Sequence, residues 1–236
     1  MSNEVTGAFP TPYDPGEDRG PSDFDIRHAS AGSYSYSIPL PSNNRPLRAI
    51  FGNWSLDGIV RACSAPPVDV EAITTTSDVT GYPIPRPNLV AGHPLYIGGA
   101  DCIAVFGPIG CPGGRGFNPS AFSNAGVIGP SGDVLGQGDL PRNALRGFRL
   151  IQFDSAFRRD VRLAERVALQ FRADFFNIFN HPNFAPPTNI LSLPTFGQSI
   201  SMLGTSLGSG GVFGGQNPLH QIGGPRSIQL ALKVQF

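Results

Sequence analysis

Enzymatic chemistry needs reactive side chains at a workable spacing, and this chain offers few. Its histidines, His28, His93, His181 and His220, lie far apart, and none stands at a metal-ligand interval from another His or Cys. Cys63, Cys102 and Cys111 form no C-x-x-C pair, so no zinc site is expected. Cys102 and Cys111 sit in the Gly/Pro-rich stretch DCIAVFGPIGCPGG, where an oxidising compartment would let them close a short disulfide loop; two unpaired loop thiols are the alternative. No G-x-S-x-G, H-E-x-x-H or phosphate loop occurs, and the run Gly204–Gly215 lacks the Lys-Ser/Thr that would hold a phosphate. His181, within Asn180-His181-Pro182-Asn183, is expected to shape a turn. The sequence therefore predicts neither catalysis nor a cofactor.

The charged residues follow a different rule. Arg27, Asp57, Arg61, Gln152, Asp154, Arg158, Arg172 and Asp174 each alternate with apolar neighbours, which puts them on one face of strands whose other face is apolar. In such a sheet the polar side forms a solvated lattice of ion pairs and the apolar side must be covered.

Five segments carry this period of two. The clearest is Ser227–Phe236, with Ile228, Leu230, Leu232, Val234 and Phe236 on one face and Ser227, Gln229, Ala231, Lys233 and Gln235 on the other. A second runs from Val167 to about Phe179, and a third from Arg149 to Arg159, joined to it by a short charged connection around Arg159–Glu165. Near the N-terminus, Phe24, Ile26, Tyr34, Tyr36 and Ile38 share a parity; after a polar link at Pro41–Arg48, Trp54, Leu56, Val60 and Ala62 do the same.

Composition agrees with a sheet that does not fold as an ordinary soluble domain. Charged residues make up 14% of the chain, against roughly 25% in globular proteins. Gly (30) and Pro (24) are abundant, which implies many turns and little helix. A net charge of +0 gives no footprint for nucleic acid. There is no apolar run of about 18 residues for a transmembrane helix, and the polar, proline-broken first residues do not read as a signal peptide. A β-barrel needs no such run, because only alternate residues face lipid.

Connection lengths then set a direction. Two long Gly/Pro/Ser/Asn-rich segments, about 66–146 and 180–225, alternate with short links. Outer-membrane barrels have short periplasmic turns and long extracellular loops. The expected fold is thus all-β: an antiparallel transmembrane β-barrel segment of about five strands, an incomplete barrel, running down, up, down, up, down. Residues 1–23 are expected to be an extracellular loop remnant and 24–236 the barrel portion. Phe236 then ends at the periplasmic side, and Tyr36 and Trp54 form a periplasmic aromatic girdle.

Several stretches resemble Oar-like TonB-dependent receptors, a family abundant in Acidobacteria. The strongest is Phe171–Phe184 (FRADFFNIFNHPNF), similar to a motif near the C-terminus of those receptors. Phe24–His28 (FDIRH) resembles the start of an upstream strand, Gly52–Ile59 the GNW-x-L-x-GI strand, and Phe117–Phe122 the FNP-x-AF loop element. Pro141–Gly147 resembles the GRN-x-LRG entry to a later strand, with Pro141 in place of the usual Gly, and Ala62–Pro66 departs from the usual SG-x-P turn. The resemblance implies a transporter barrel of about 22 strands with a plugged lumen. Its partners would be outer-membrane lipid, a plug domain, TonB, and the barrel-assembly machinery. The last would read Ile228, Leu230, Leu232, Val234 and Phe236 as an assembly signal. A five-strand piece alone is expected to form no pore. Alternatives are a secreted or surface all-β binding module, or a truncated gene product.

Overall fold

The computed structural model describes residues 19–40, 44, 46–47, 51–72, 85–132, 134–164, 167–206 and 222–236. In chain order its strands are β1 (Ala29–Ser37), β2 (Trp54–Cys63), β3 (Pro67–Val68), β4 (Asn88–Leu89), β5 (Tyr96–Gly98), β6 (Arg115–Phe117), β7 (Phe122–Ser123), β8 (Leu145–Arg146), β9 (Leu150–Ala164), β10 (Val167–Phe176) and β11 (Ser227–Gln235). Short helices between them include α1 (Ala100–Phe106) and α2 (Leu203–Ser206).

Five strands build one antiparallel sheet in the order β1-β2-β9-β10-β11, and β1 and β11 are its open edges. β1, β2, β10 and β11 contain 9, 10, 10 and 9 residues, the length a tilted strand needs to cross a bilayer. Residues paired across a ladder point to the same face. Tyr36↔Leu56↔Phe157↔Ala173↔Leu230 is one such row, and Ser35↔Asp57↔Ala156↔Asp174↔Gln229 is the next, facing the other way. From Ala168 onward on β10, the expected parity therefore runs across all five strands.

Three boundaries differ from the sequence-based expectation. Phe24–His28 is not strand: Asp25 N–H donates to the Ser22 carbonyl, and the Asp25 carboxylate pairs with Arg146, so this piece turns before β1 begins. Arg27 therefore lies outside the sheet and exposed, not on its polar face. β9 runs on through the expected connection to Ala164, with a bulge where the β10 register shifts between Val167 and Ala168. β10 stops at Phe176, because Asn177 adopts φ 48° and turns the chain away.

The largest difference concerns the stretches 66–146 and 180–225, expected as open loops. Their described parts hold the hydrophobic core. Val68, Val70, Phe117, Ala121, Phe122, Leu140, Leu145 and Phe196 pack together, with Leu95, Tyr96 and Leu191 against them. Ring contacts tie the two stretches to each other: Phe122 meets Phe196 edge-on at 5.5 Å, and Phe117 meets Phe196 at 6.2 Å. The two-stranded sheets β3–β8, β4–β7 and β5–β6 frame this core. Each buried aromatic contributes on the order of 1.5–3 kcal/mol. The outcome is a folded cap at the end of the sheet where β1 and β9 begin and β10 ends.

Turn chemistry explains why a Gly/Pro-rich chain orders there. Asn118 accepts a hydrogen bond from Ser120 N–H and caps the turn Pro119–Ala121, aiming Phe117, Ala121 and Phe122 into the core. Asn143, at φ 53°, donates to the Pro21 carbonyl (2.8 Å) and the Asp23 carboxylate (2.6 Å), which docks residues 21–23 onto the cap. Residues 19–23 are thus part of the cap, while 1–18 lie outside the described residues.

Candidate functional site

The sheet presents two chemically opposite faces. On the polar face, Asp154 is the hub: its carboxylate accepts from Arg61 (3.1 Å), from Gln152 (2.8 Å) and from Asn177 N–H (2.9 Å). Gln152, 2% exposed, accepts in turn from Gly223 N–H at 2.6 Å, which ties the segment before β11 down onto this face. Asp57 takes a hydrogen bond from Ser35 and pairs with Arg158 at 3.7 Å; Arg158 Nε also donates to Ser55 Oγ at 3.2 Å. Arg172 donates to Asp174 at 2.7 Å, and Gln170 to Asp160 at 2.7 Å. A cavity of about 530 Å³ opens over this lattice, lined by Ser33, Asp57, Arg61, Asp154, Arg172 and Asp174 among others, with neither His nor Cys. Paired carboxylates and guanidiniums suit a polar, near-neutral surface or a hydrated path.

The opposite face is apolar and uncovered. On β11, Ile228 is 55% exposed, Leu230 68% and Leu232 66%. A soluble sheet would bury that face; here the core lies in the cap instead. No helix among the described residues is long and apolar enough to cross a membrane, which leaves crossing by strands untouched.

A family model described as an outer membrane beta barrel domain matches residues 1–222. The chain belongs to that family. No curated protein and no solved structure matches it. Membership places the protein in the cell outer membrane, with the sheet as part of a β-barrel wall and its apolar face toward lipid.

On this barrel wall the structure places each singled-out residue. Ile228, Leu230, Leu232 and Val234 line the lipid face of the edge strand β11, and Phe236 follows it, almost fully exposed. Tyr36 and Trp54 both lie on the lipid face at the turn end of β1 and β2, where Ile38 N–H donates to the Trp54 carbonyl. Trp54 stacks edge-on with Phe171 (6.3 Å), and the Arg159 guanidinium carbon lies 5.5 Å from its ring centroid. Cys102 and Cys111 are joined by a disulfide, with Cα atoms 5.4 Å apart, at the two ends of α1 and its following turn; Cys63 is a free thiol at the end of β2. They belong to the cap and the sheet respectively and share no site.

The histidines stay apart. His181 gives backbone atoms to a turn: its N–H donates to Asn177 Oδ1 and its carbonyl accepts from Asn177 Nδ2. His220 lies outside the described residues. No cluster of three or more His, Cys, Asp or Glu that could hold a metal occurs among the described residues.

Sequence inspection passed over the buried asparagines that organise the barrel's loop end. Asn177 (1% exposed) bridges His181 and the Gly224 carbonyl, and Asn183 (0%) accepts from Ile151 N–H at the start of β9. The available signal was their setting: Asn beside Pro or aromatic residues at the end of a strand, where αL geometry is needed. Arg159 is hard to read for a simpler reason: it sits on the apolar parity at the start of a charged stretch that resembles a turn.

Proposed function

We propose that the protein is the C-terminal barrel portion of a TonB-dependent receptor that takes up a ligand across the outer membrane. One observation carries this reading. The described parts of both long connections gather at one end in a folded cap, while the described ends of the short links and the end of β11 lie at the other. Extracellular ligand capture and periplasmic coupling need that asymmetry. Motif residues add support, because Asn118, Asn143 and Asn177 occupy positions that the cap geometry demands. In this reading the cap is extracellular and Tyr36 and Trp54 form the periplasmic girdle. A plug domain rests against the ion-paired face, and TonB acts on the plug. The barrel-assembly machinery engages β11, whose unpaired edge and apolar face suit strand addition. The role is passive in chemistry, without a catalytic step. With edges open at β1 and β11, the sheet forms no pore until further strands complete it.

Two experiments test this. In cells carrying the protein in a Cys63→Ser background, single cysteines at Leu135 in the cap and Leu163 near the turn end are exposed to a membrane-impermeant maleimide. Labelling at 135 with protection at 163 supports the orientation, and the reverse pattern sinks it. Sequencing the DNA upstream of the Met1 codon should reveal plug-domain coding sequence, in frame or across a frameshift. Its absence would remove the receptor assignment while leaving the barrel family untouched.

A further inference from the structure

The cavity on the polar face is built from balanced charges. Asp154 pairs with Arg61 at 3.1 Å, Asp174 with Arg172 at 2.7 Å and Asp57 with Arg158 at 3.7 Å. A charged ligand gains little here. An anion that drew Arg61 or Arg172 away would strand Asp154 or Asp174, whose side chains are each 13% exposed. A cation that drew a carboxylate away would strand a guanidinium in the same manner. The ligand that leaves every pair intact is neutral.

The pairs still have hydrogen-bonding capacity to offer. Arg172 meets Asp174 Oδ1 through Nε, which keeps its two terminal nitrogens available on a side chain 52% exposed. Arg61 spends Nη1 on Asp154, and Ser33 adds a hydroxyl to the lining. Donors and acceptors therefore alternate around the cavity, as they do around the hydroxyls of a sugar.

Apolar steps separate these groups. Ile59, 39% exposed, breaks the polar parity of β2 between Asp57 and Arg61, and Ala156 stands between Asp154 and Arg158 on β9. Ile222 overhangs from the segment that Gly223 N–H ties to Gln152, on the side toward the cap. A purely apolar ligand would strip water from the charges without replacing it. A saccharide presents hydroxyls at its edges and C–H groups on its ring faces, which matches both kinds of lining. The volume, about 530 Å³, suits a short oligosaccharide.

We propose that this cavity binds a neutral oligosaccharide, with Arg172, Arg61 and Ser33 hydrogen-bonding its hydroxyls and Ile59 and Ile222 against its ring faces. The site itself rests on the polar face of the sheet. Its role as the place where transported cargo pauses rests on the receptor reading.

The test uses the full chain in lauryldimethylamine oxide micelles, a detergent without a sugar headgroup. Maltotriose, cellotriose and mannotriose are titrated by saturation-transfer difference NMR, with trigalacturonate as the charged counterpart. At least one neutral trisaccharide should bind saturably and trigalacturonate should not. Arg172→Gln and Ile59→Ser should each weaken that binding by roughly tenfold, the loss of a charged donor or of apolar contact. Lys233→Gln, on the same face but outside the cavity, should bind as the wild type does, with the far-UV strand signal intact in each. Failure of all three neutral sugars overturns the proposal, as does trigalacturonate binding equally well. Unchanged affinity in Arg172→Gln also overturns it. If Ile59→Ser loses its strand signal, Arg172→Gln decides, because its exposed pair carries little of the fold. Plug-domain sequence upstream with no sugar binding would remove this substrate class and leave the receptor reading standing. Sugar binding with no plug-domain sequence would keep the site and remove its role in uptake.

Discussion

Tyr34 reaches over the whole width of β2 to hydrogen-bond Ser155 on β9, hydroxyl to Oγ at 2.9 Å. It does so because the residue between them in the row is Gly58, and a Cβ there would collide with the Tyr34 ring. An aromatic laid over a strand glycine repairs both the missing side chain and the loose backbone. Gly58→Ala should therefore destabilise the folded protein by about 1–3 kcal/mol through overpacking. In an open strand the same change would stabilise by about 0.5–1 kcal/mol. The sign of the shift in urea midpoint, measured in detergent, separates the two, and a stabilised Ala variant refutes the packing role of Tyr34.

The polar face is uneven in energy. Asp154 has a side chain 13% exposed and holds Arg61, Gln152 and the Asn177 backbone, whereas the Arg172 side chain, paired with Asp174, is 52% exposed. Losing a partly buried charged acceptor costs about 2–3 kcal/mol, and an ion pair whose cation stays half exposed to water is worth below about 1 kcal/mol. Asp154→Ala should lower the unfolding midpoint clearly and free the segment near Gly223 for proteolysis. Arg172→Gln should do neither. Equal effects from both would mean that the lattice has no hub.

Asn143 combines a backbone requirement with a hydrogen-bonding one, φ 53° and two acceptors on the N-terminal segment. Asn143→Gly keeps the backbone free and loses only the hydrogen bonds. Asn143→Ala loses both and should be worse than Gly by about 1–2 kcal/mol, the αL penalty of a Cβ. Limited proteolysis of the cap ranks the three proteins. If Ala and Gly are equally sensitive, the left-handed conformation is not what Asn143 supplies.

Neighbouring positions of β11 should respond oppositely to charge. Leu230 sits in the lipid-facing row with Leu56 and Phe157, and Gln229 is paired with Asp174 on the other face. In the barrel completed by its further strands, Leu230→Arg should lose insertion into vesicles, at about 2–4 kcal/mol for a charge near the midplane. Gln229→Arg should insert as the wild type does, next to a carboxylate. Protease protection after mixing with vesicles gives the readout, and similar protection for both variants would contradict the two-faced sheet.

Period two was the most legible feature of this chain. Alternation is a local property, since it needs only residues i and i+2 on one strand, so the two faces of β1, β2, β9, β10 and β11 could be read without partners. The strand ends were less legible. Phe24 and Ile26 keep the apolar parity but are held out of the sheet by the pairing of Asp25 with Arg146, residues 121 positions apart in sequence. Asn177 stops β10 three residues early through a backbone angle that many Asn residues never adopt.

By itself the sequence determined which side chains share a face, that the chain crosses by strands, and that connections alternate between short and long. Tertiary structure alone decided that β2 pairs with β9 across a long excursion, that this excursion folds into a cap around Phe117, Phe122 and Phe196, and that Arg159 stands beside Trp54 on the lipid face. Such contacts join residues far apart in sequence, and their existence depends on the free energy of closing the loops between them. No local pattern encodes that energy. Gly and Pro marked the cap only as turns; its core became visible once those turns brought scattered aromatics into one place.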